Sequence, residues 1–551
     1  MDPLSVGASQ LQLQIRSEDE NCNDKNTKQD DAFREVITSC RSLSSFETSC
    51  LKTAMPQIGV SICSASFHIV VGVALSYSAV LVPQLEAEDS GIPVTKFLTS
   101  LVASIITLMV PVGAIIAGYM MDSLGRINTI KVAAIPAILG LLLIATATNV
   151  YFILAGRIFT GVACAMGTSP AIVYITEVAR ADLRGSLISS GPTLASFGMV
   201  LTYIAGAFLN WRTVAWLGIL FTIFPIILIW IYVPESPVYL VTHGRIEDAA
   251  KSLQFLYKKY PPPENSLESL ADMHLRVLMR DNEKRLNKNM LNVNSKGKQK
   301  SKWAGFAKPT GYKPLTILFF FFLIQQFSGI YITLFFSVTF LQDVGADGID
   351  PFVASIFLGV VRFVMSCLNA WLLKRFKRRF LVMLSSFLMA ALMFISGTVT
   401  IWIQNGATEL KWVPVVCLLL YVCASMIGLL MIPWTMTAEL FPNEIRGLGH
   451  SLSFSIANVI MFFAVQSYRT LLDVLGGSHA VQWFFALISI IGFFFGLFFL
   501  PETHGKKLSE IEAYFEKKSS SKKSRVVASD IYNVSTNAKE IEQMLTKKEN
   551  A

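Results

Sequence analysis

Apolar residues in this chain are gathered into long runs, and that clustering limits the fold more than any other feature. A hydrocarbon layer about 30 Å thick is crossed by about 20 apolar residues in helical form. Runs of that length centre on roughly 58–82, 97–121, 129–148, 150–175, 188–209, 213–233, 315–341, 352–374, 380–403, 412–435, 449–470 and 481–500. Twelve membrane-spanning helices are therefore expected, and the fold class is an all-α membrane protein. The 551 residues are 53% hydrophobic and only 15% charged, too little charge to cover a soluble surface of this size. The runs consume nearly all the apolar content, which leaves no room for a soluble enzyme domain.

The polar ends and loops set the expected topology. The first fifty residues carry no basic segment leading into an apolar core, unlike a cleaved signal peptide. Residues 242–314 hold fifteen Lys/Arg against seven Asp/Glu, and KRFKRR (374–379) and KKSSSKKSR (517–525) are basic too. EAEDSG (86–91) and QDVGADGID (342–350) are acidic. The positive-inside rule puts the basic set and both termini in the cytoplasm, so the net charge of +9 is a topology signal. It is not organised as one face of a domain that would bind nucleic acid. The sequon at Asn533 would then be cytosolic. Cys22, Cys40 and Cys50 lie in the polar tail; Cys63, Cys164, Cys367, Cys417 and Cys423 read as small buried residues, since no metal-like spacing is present.

Short motifs recur in order. Glu177 and Arg184 answer Glu439 and Arg446 at an offset of 262, and Pro234-Glu235-Ser236 answers Pro501-Glu502-Thr503 at 267. The Arg126 turn answers Arg378 at 252. Three matching pairs in one order mark a duplication. The expected organisation is a cytoplasmic tail over 1–57, a six-helix bundle over 58–233, a linker over 234–314, a second bundle over 315–500 and a second cytoplasmic tail over 501–551. Within the linker, Ile246–Tyr257 and Leu267–Leu286 read as amphipathic helices, and KGKQKSK (296–302) as a flexible stretch suited to anionic lipid.

The stretches GYMMDSLGR (118–126), AGRIFTGVACAMG (155–167), YITEVARADLRG (174–185), PESP (234–237), QQFSG (325–329), IPWTMTAELFPNEIRG (432–447) and PETHGKKLSEIE (501–512) resemble the sugar porter family of the major facilitator superfamily. The resemblance covers roughly 58–515, and within the family the chain looks most like the insect facilitated trehalose transporter-like members. It implies two pseudo-symmetric bundles with a helical linker beneath them. It also implies a gating network of Asp122, Arg126, Glu177, Arg184, Arg378, Arg379, Glu439 and Arg446, with Glu235 and Glu502 near it. Carboxylate–arginine pairs at helix ends suit a latch that forms in one state and breaks in another. The second copy of the turn departs from the pattern, with Lys374 and Lys377 where Asp and Gly are usual, and Arg180 stands at a usual proline.

Charges within the bilayer are rare and informative. Arg157 matches the family's intramembrane arginine, whose partner in proton-coupled members is an Asp in helix one. Helix one, Ile58 to Val82, has no Asp or Glu, which favours facilitated diffusion. His68 could titrate or be a neutral core residue. Arg362, near the middle of helix eight, needs a carbonyl, a carboxylate or water.

A sugar offers hydroxyls at its rim and C–H faces, so amides and an aromatic face are the side chains that bind it. Gln325 and Gln326 in helix seven and Trp434 after Pro433 in helix ten are the leading candidates, with Tyr331, Thr193 and Asn458 beside them. Relative to the family, Tyr331 stands for an asparagine, Pro192 for a helix-five glutamine and Phe335-Phe336 for a tyrosine pair; Met431 replaces a proline, and Asn458 is shifted by one residue. The expected function is facilitative transport of a sugar, trehalose or a hexose, by alternating access. No cofactor is expected, no reaction on the substrate, and the lipid bilayer is the only other partner of a plasma-membrane monomer. A proton-coupled symporter and a non-transporting sugar sensor are the alternatives.

Overall fold

A computed structural model describes residues 47–88, 91–258, 269–294, 302–344, 350–442, 445–503, 506, 510–511 and 514–515. The sequon, KKSSSKKSR, Cys22 and Cys40 fall outside the described residues, as does nearly all of KGKQKSK.

Among the described residues, eleven helices are long and apolar enough to cross a membrane. The first six are Ala54–Glu86, Lys96–Ser123, Arg126–Ala145, Val150–Val178, Leu183–Phe208 and Trp211–Tyr232. Pro351–Arg375, Arg378–Gln404, Val413–Thr437, Arg446–Gln466 and Ser478–Phe498 complete the set as spans eight to twelve. The seventh expected helix, read as continuous over 315–341, is instead three pieces: Pro309–Phe327, Ile332–Phe335 and Ser337–Asp343. The twelve-helix architecture therefore stands, with the first, seventh and tenth spans interrupted.

The interruptions have local causes. Gly329 has φ +93°, a left-handed conformation that stops a helix and favours glycine. A Cβ at Gly329 would lie 2.5 Å from the Phe485 ring, so no other residue fits. Tyr421 donates its hydroxyl hydrogen to the carbonyl of Ser328 at 2.6 Å, satisfying one acceptor at the break. The tenth span breaks between Val413–Ile427 and Ile432–Glu439. Pro433 has no N–H to give the carbonyl four residues back, at Leu429. Ser385 braces this break from the ninth span, donating to Ala424 O at 2.7 Å and accepting from Leu429 N at 3.0 Å. The first span breaks at Ser66–Phe67, between Glu47–Ala65 and His68–Glu86.

Small residues let helix backbones meet closely. The third and fourth spans pack glycine on glycine: a Cβ on Gly140 would lie 2.6 Å from the Gly156 carbonyl, and one on Gly156 would lie 2.5 Å from that of Gly140. Cys164 and Cys417 are buried as expected, whereas Cys367 is exposed on the eighth span.

Packing divides the chain into two units. One holds residues up to Gly297 with Leu334–Gln342 and Ile349–Ala370; the other holds Lys298–Thr333, Asp343–Gly348 and everything from Trp371. The seventh span is thus divided just past its break. The linker up to Gly297 belongs to the first unit and forms helices Pro237–Thr242, Ile246–Leu256 and Leu270–Asn294. Leu240, Val241 and Ala249 pack with Leu275, Leu278 and Met279, and the Tyr257 hydroxyl meets His274 Nδ1 at 3.1 Å.

Candidate functional site

Two charged clusters repeat the same construction, one in each unit. In the first, Arg126 clamps Glu177 through Nε and Nη2, the shortest contact being 2.8 Å. Such bidentate pairs are directional as well as strong. Ser236 donates its hydroxyl hydrogen to Glu177 Oε2 at 2.5 Å. Glu235 accepts from the backbone N–H groups of Arg126, Ile127 and Asn128 at 2.9–3.3 Å, capping the third span where the helix dipole favours an anion. In the second cluster Arg378 clamps Glu439 at 2.8 Å, Thr503 donates to Glu439 at 2.6 Å, and Glu502 accepts from Arg378 N and Arg379 N at 3.2 Å. Ser236 and Thr503 escaped the sequence reading, although a hydroxyl at the same offset as the repeated Pro-Glu was the available signal.

The two clusters differ where the sequence departs from its own repeat. Gly125 has φ +98°, and a Cβ there would lie 2.6 Å from Glu235 Oε2. Its counterpart Lys377 has an ordinary φ of −66°. Arg126 also lies over the Tyr239 ring at 5.3 Å, a cation–π contact. Arg379 turns away from the clamp and donates to Gly496 O and Leu497 O at the end of the twelfth span. Arg184 donates to Ala179 O at 3.3 Å, while Asp122 and Arg446 are exposed. The structure therefore gathers Arg126, Glu177 and Glu235 in the first unit, and Arg378, Glu439 and Glu502 in the second.

Arg157 is buried, and its three donor positions meet neutral acceptors. Nε donates to Val102 O at 3.1 Å, Nη1 to Ala74 O at 2.6 Å and Nη2 to Ser78 Oγ. Ala74 and Ser78 belong to the first span, so a serine stands on that span against the guanidinium.

The glutamine pair in the second unit is fully buried. Gln325 Nε2 donates to Leu429 O at 3.0 Å and Leu430 O at 2.7 Å. These are the carbonyls released by the break in the tenth span, so this amide is a brace. Gln326 Nε2 reaches Gln325 Oε1 at 3.3 Å, and Gln326 Oε1 has no hydrogen-bond partner. A buried amide oxygen without a donor is costly, by about 1–3 kcal/mol. Trp434 Nε1 donates to the Tyr331 hydroxyl at 3.1 Å, and its ring centroid is 4.9 Å from that of Phe322 and 5.4 Å from that of Phe454. Gln325, Gln326, Tyr331 and Trp434 are thus placed together. Asn458 commits its amide N–H to Phe454 O of its own helix at 2.9 Å. Thr193 belongs to the first unit, where its hydroxyl meets Ser366 Oγ at 3.2 Å, one turn from Arg362.

This combination of many apolar spans, two duplicated charge clamps and interrupted seventh and tenth helices defines an integral multi-pass membrane protein of the major facilitator type. A family model described as "Sugar (and other) transporter" matches residues 20–515, and the chain belongs to that family. It is 30% identical over 459 residues to a facilitated trehalose transporter, Tret1, of Polypedilum vanderplanki, covering 83% of this chain and 87% of that one. It is 32% identical over 458 residues to a facilitated trehalose transporter Tret1-2 homolog of Drosophila sechellia, covering 83% and 89%. Its fold is that of the inward-open xylose transporter XylE of E. coli, with a TM-score of 0.62 at 20% identity over 85% of this chain and 99% of that one. The protein is a sugar transporter and not an enzyme.

Proposed function

We propose that this sugar transporter works as a facilitative uniporter, moving its sugar down a gradient by alternating access. The neutral partner set of Arg157 carries this reading. A proton-coupled carrier needs a group that gains and loses its proton during the cycle, and a carboxylate against a buried arginine is the usual choice. Here Ser78 and two backbone carbonyls satisfy the guanidinium, and none of them titrates in the working range. The names of the insect relatives support trehalose as the first substrate to test, with hexoses second.

In this reading Gln326 and Tyr331 meet the sugar hydroxyls and Trp434 offers its face to the C–H surface. Gln326 Oε1 gains from a sugar hydroxyl the donor it lacks. Thr193 in the first unit and Asn458 in the second are further candidates for contact with the sugar. The clamps at Arg126 and Arg378 set the free energy of the inner gate. The protein acts as a monomer in the plasma membrane with both termini in the cytoplasm. Counterflow in liposomes with labelled trehalose, glucose and fructose identifies the cargo. In voltage-clamped cells the uniporter gives no substrate-evoked current, and a current that grows with external acid would establish symport instead.

A further inference from the structure

The break in the first span leaves a histidine whose chemistry is fixed by its surroundings. Around Ser66–Phe67 the helix tightens: Ile69 N donates to Ser66 O at 3.0 Å, and Val70 N to Phe67 O at 3.0 Å. Ile69 N is the donor that the Ala65 carbonyl would receive in a regular helix. His68 Nδ1 fills that role at 3.0 Å. A carbonyl can only accept, so Nδ1 carries the hydrogen, and the other nitrogen of a neutral ring, Nε2, presents a lone pair. Nε2 makes no hydrogen bond among the described residues, and it is not one of the sealed, unpartnered polar atoms of the interior.

The direction of that lone pair is set by the fifth span. A Cβ built on Gly191 would lie 2.8 Å from His68 Nε2, 3.0 Å from Cδ2 and 3.1 Å from Cε1, so the imidazole lies flat in the space a side chain would take. The two spans are drawn together above this point. A Cβ on Gly72 would strike Ala195 O, and one on Gly198 would lie 2.2 Å from Ile69 O. Gly191 immediately precedes Pro192, which stands where the family resemblance expects a glutamine, and Thr193 follows. The fifth span thus carries no amide at Pro192, and the first span places the His68 acceptor against Gly191, next to it in the chain.

We propose that His68 is a substrate-contacting residue whose Nε2 accepts a hydrogen bond from a sugar hydroxyl, and that it sets sugar preference with Thr193. The inference rests on the transport reading above. A helix-capping role alone would need only Nδ1, and the two nitrogens are separable by substitution. Asparagine places its amide nitrogen near Nδ1 and has nothing at Nε2; glutamine reaches the Nε2 position instead.

The test uses the full chain in liposomes, with labelled trehalose and glucose for uptake and sugar binding measured in detergent. His68→Asn should keep the melting temperature and raise KM and the binding constant about tenfold. His68→Gln should bring both within about threefold of the parent. Gly191→Ala, which displaces the ring, should raise KM as His68→Asn does. If the parent transports sugar and His68→Asn leaves KM and binding unchanged, His68 is only a cap and the proposal fails alone. If the parent neither binds nor moves any of the sugars, the transport reading fails and this proposal with it.

Discussion

Adjacent residues in this protein do unlike work, and Gln325 and Gln326 show it. Gln325 holds the two carbonyls that Pro433 and the tenth-span break leave without donors, while the buried Gln326 Oε1 is left without a donor of its own. Gln325→Met should cost about 1–3 kcal/mol and lower both membrane abundance and melting temperature. Gln326→Met should leave the melting temperature in place and raise sugar KM about tenfold in uptake assays. Sequence alone gave the two amides the same prospects, because nothing local says which of them faces Leu429 and Leu430. Ser78 offers a sharper test of energetics. Ser78→Asp sets a carboxylate against Arg157, and uptake compared at pH 5.5 and 7.5 should gain a pH dependence that the parent lacks.

At the level of helices and their ends, the duplicated clamps are the main device. Glu177→Gln and Glu439→Gln each remove one half of a partly buried ion pair, and each should change the maximal transport rate about fivefold while leaving KM within about twofold. The two clamps share no residue, so the double variant should show the product of the single effects. Ser236→Ala should lower stability by about 1–2 kcal/mol, since it strips a hydroxyl donor from a charged acceptor. The linker has its own dependence on acid. Burial holds His274 neutral down to about pH 4, whereas the unfolded residue protonates near pH 6.5. Linker packing is therefore complete above pH 6.5 and weakens as pH falls toward 4, by at most about 1.4 kcal/mol per unit. Limited proteolysis of Leu270–Asn294 should quicken between pH 7.5 and 5, and His274→Phe should flatten that response.

For the whole molecule, the apolar runs made the spans legible because membrane thickness fixes their length, and the repeat made the charge clusters legible because each copy checks the other. Boundaries and breaks were less so. Gln57 lies just before the expected run over 58–82, yet it is buried within the observed span Ala54–Glu86. The seventh helix looked continuous because Ser328, Gly329 and Tyr331 hardly lower its mean hydropathy, while the left-handed φ of Gly329 is a backbone property. The substrate candidates were legible only as residue types, since partners such as Leu429 O and Leu430 O are backbone atoms a hundred residues away. One of those contacts has a mechanical consequence. Gln325 sits three residues before the interruption of the seventh span and holds the interruption of the tenth, while Tyr421, on the tenth, holds Ser328 O on the seventh. Each helix grips the other at its weakest point. Bending at either break would strain bonds held at the other, so the two breaks are expected to move together, like the arms of one crank.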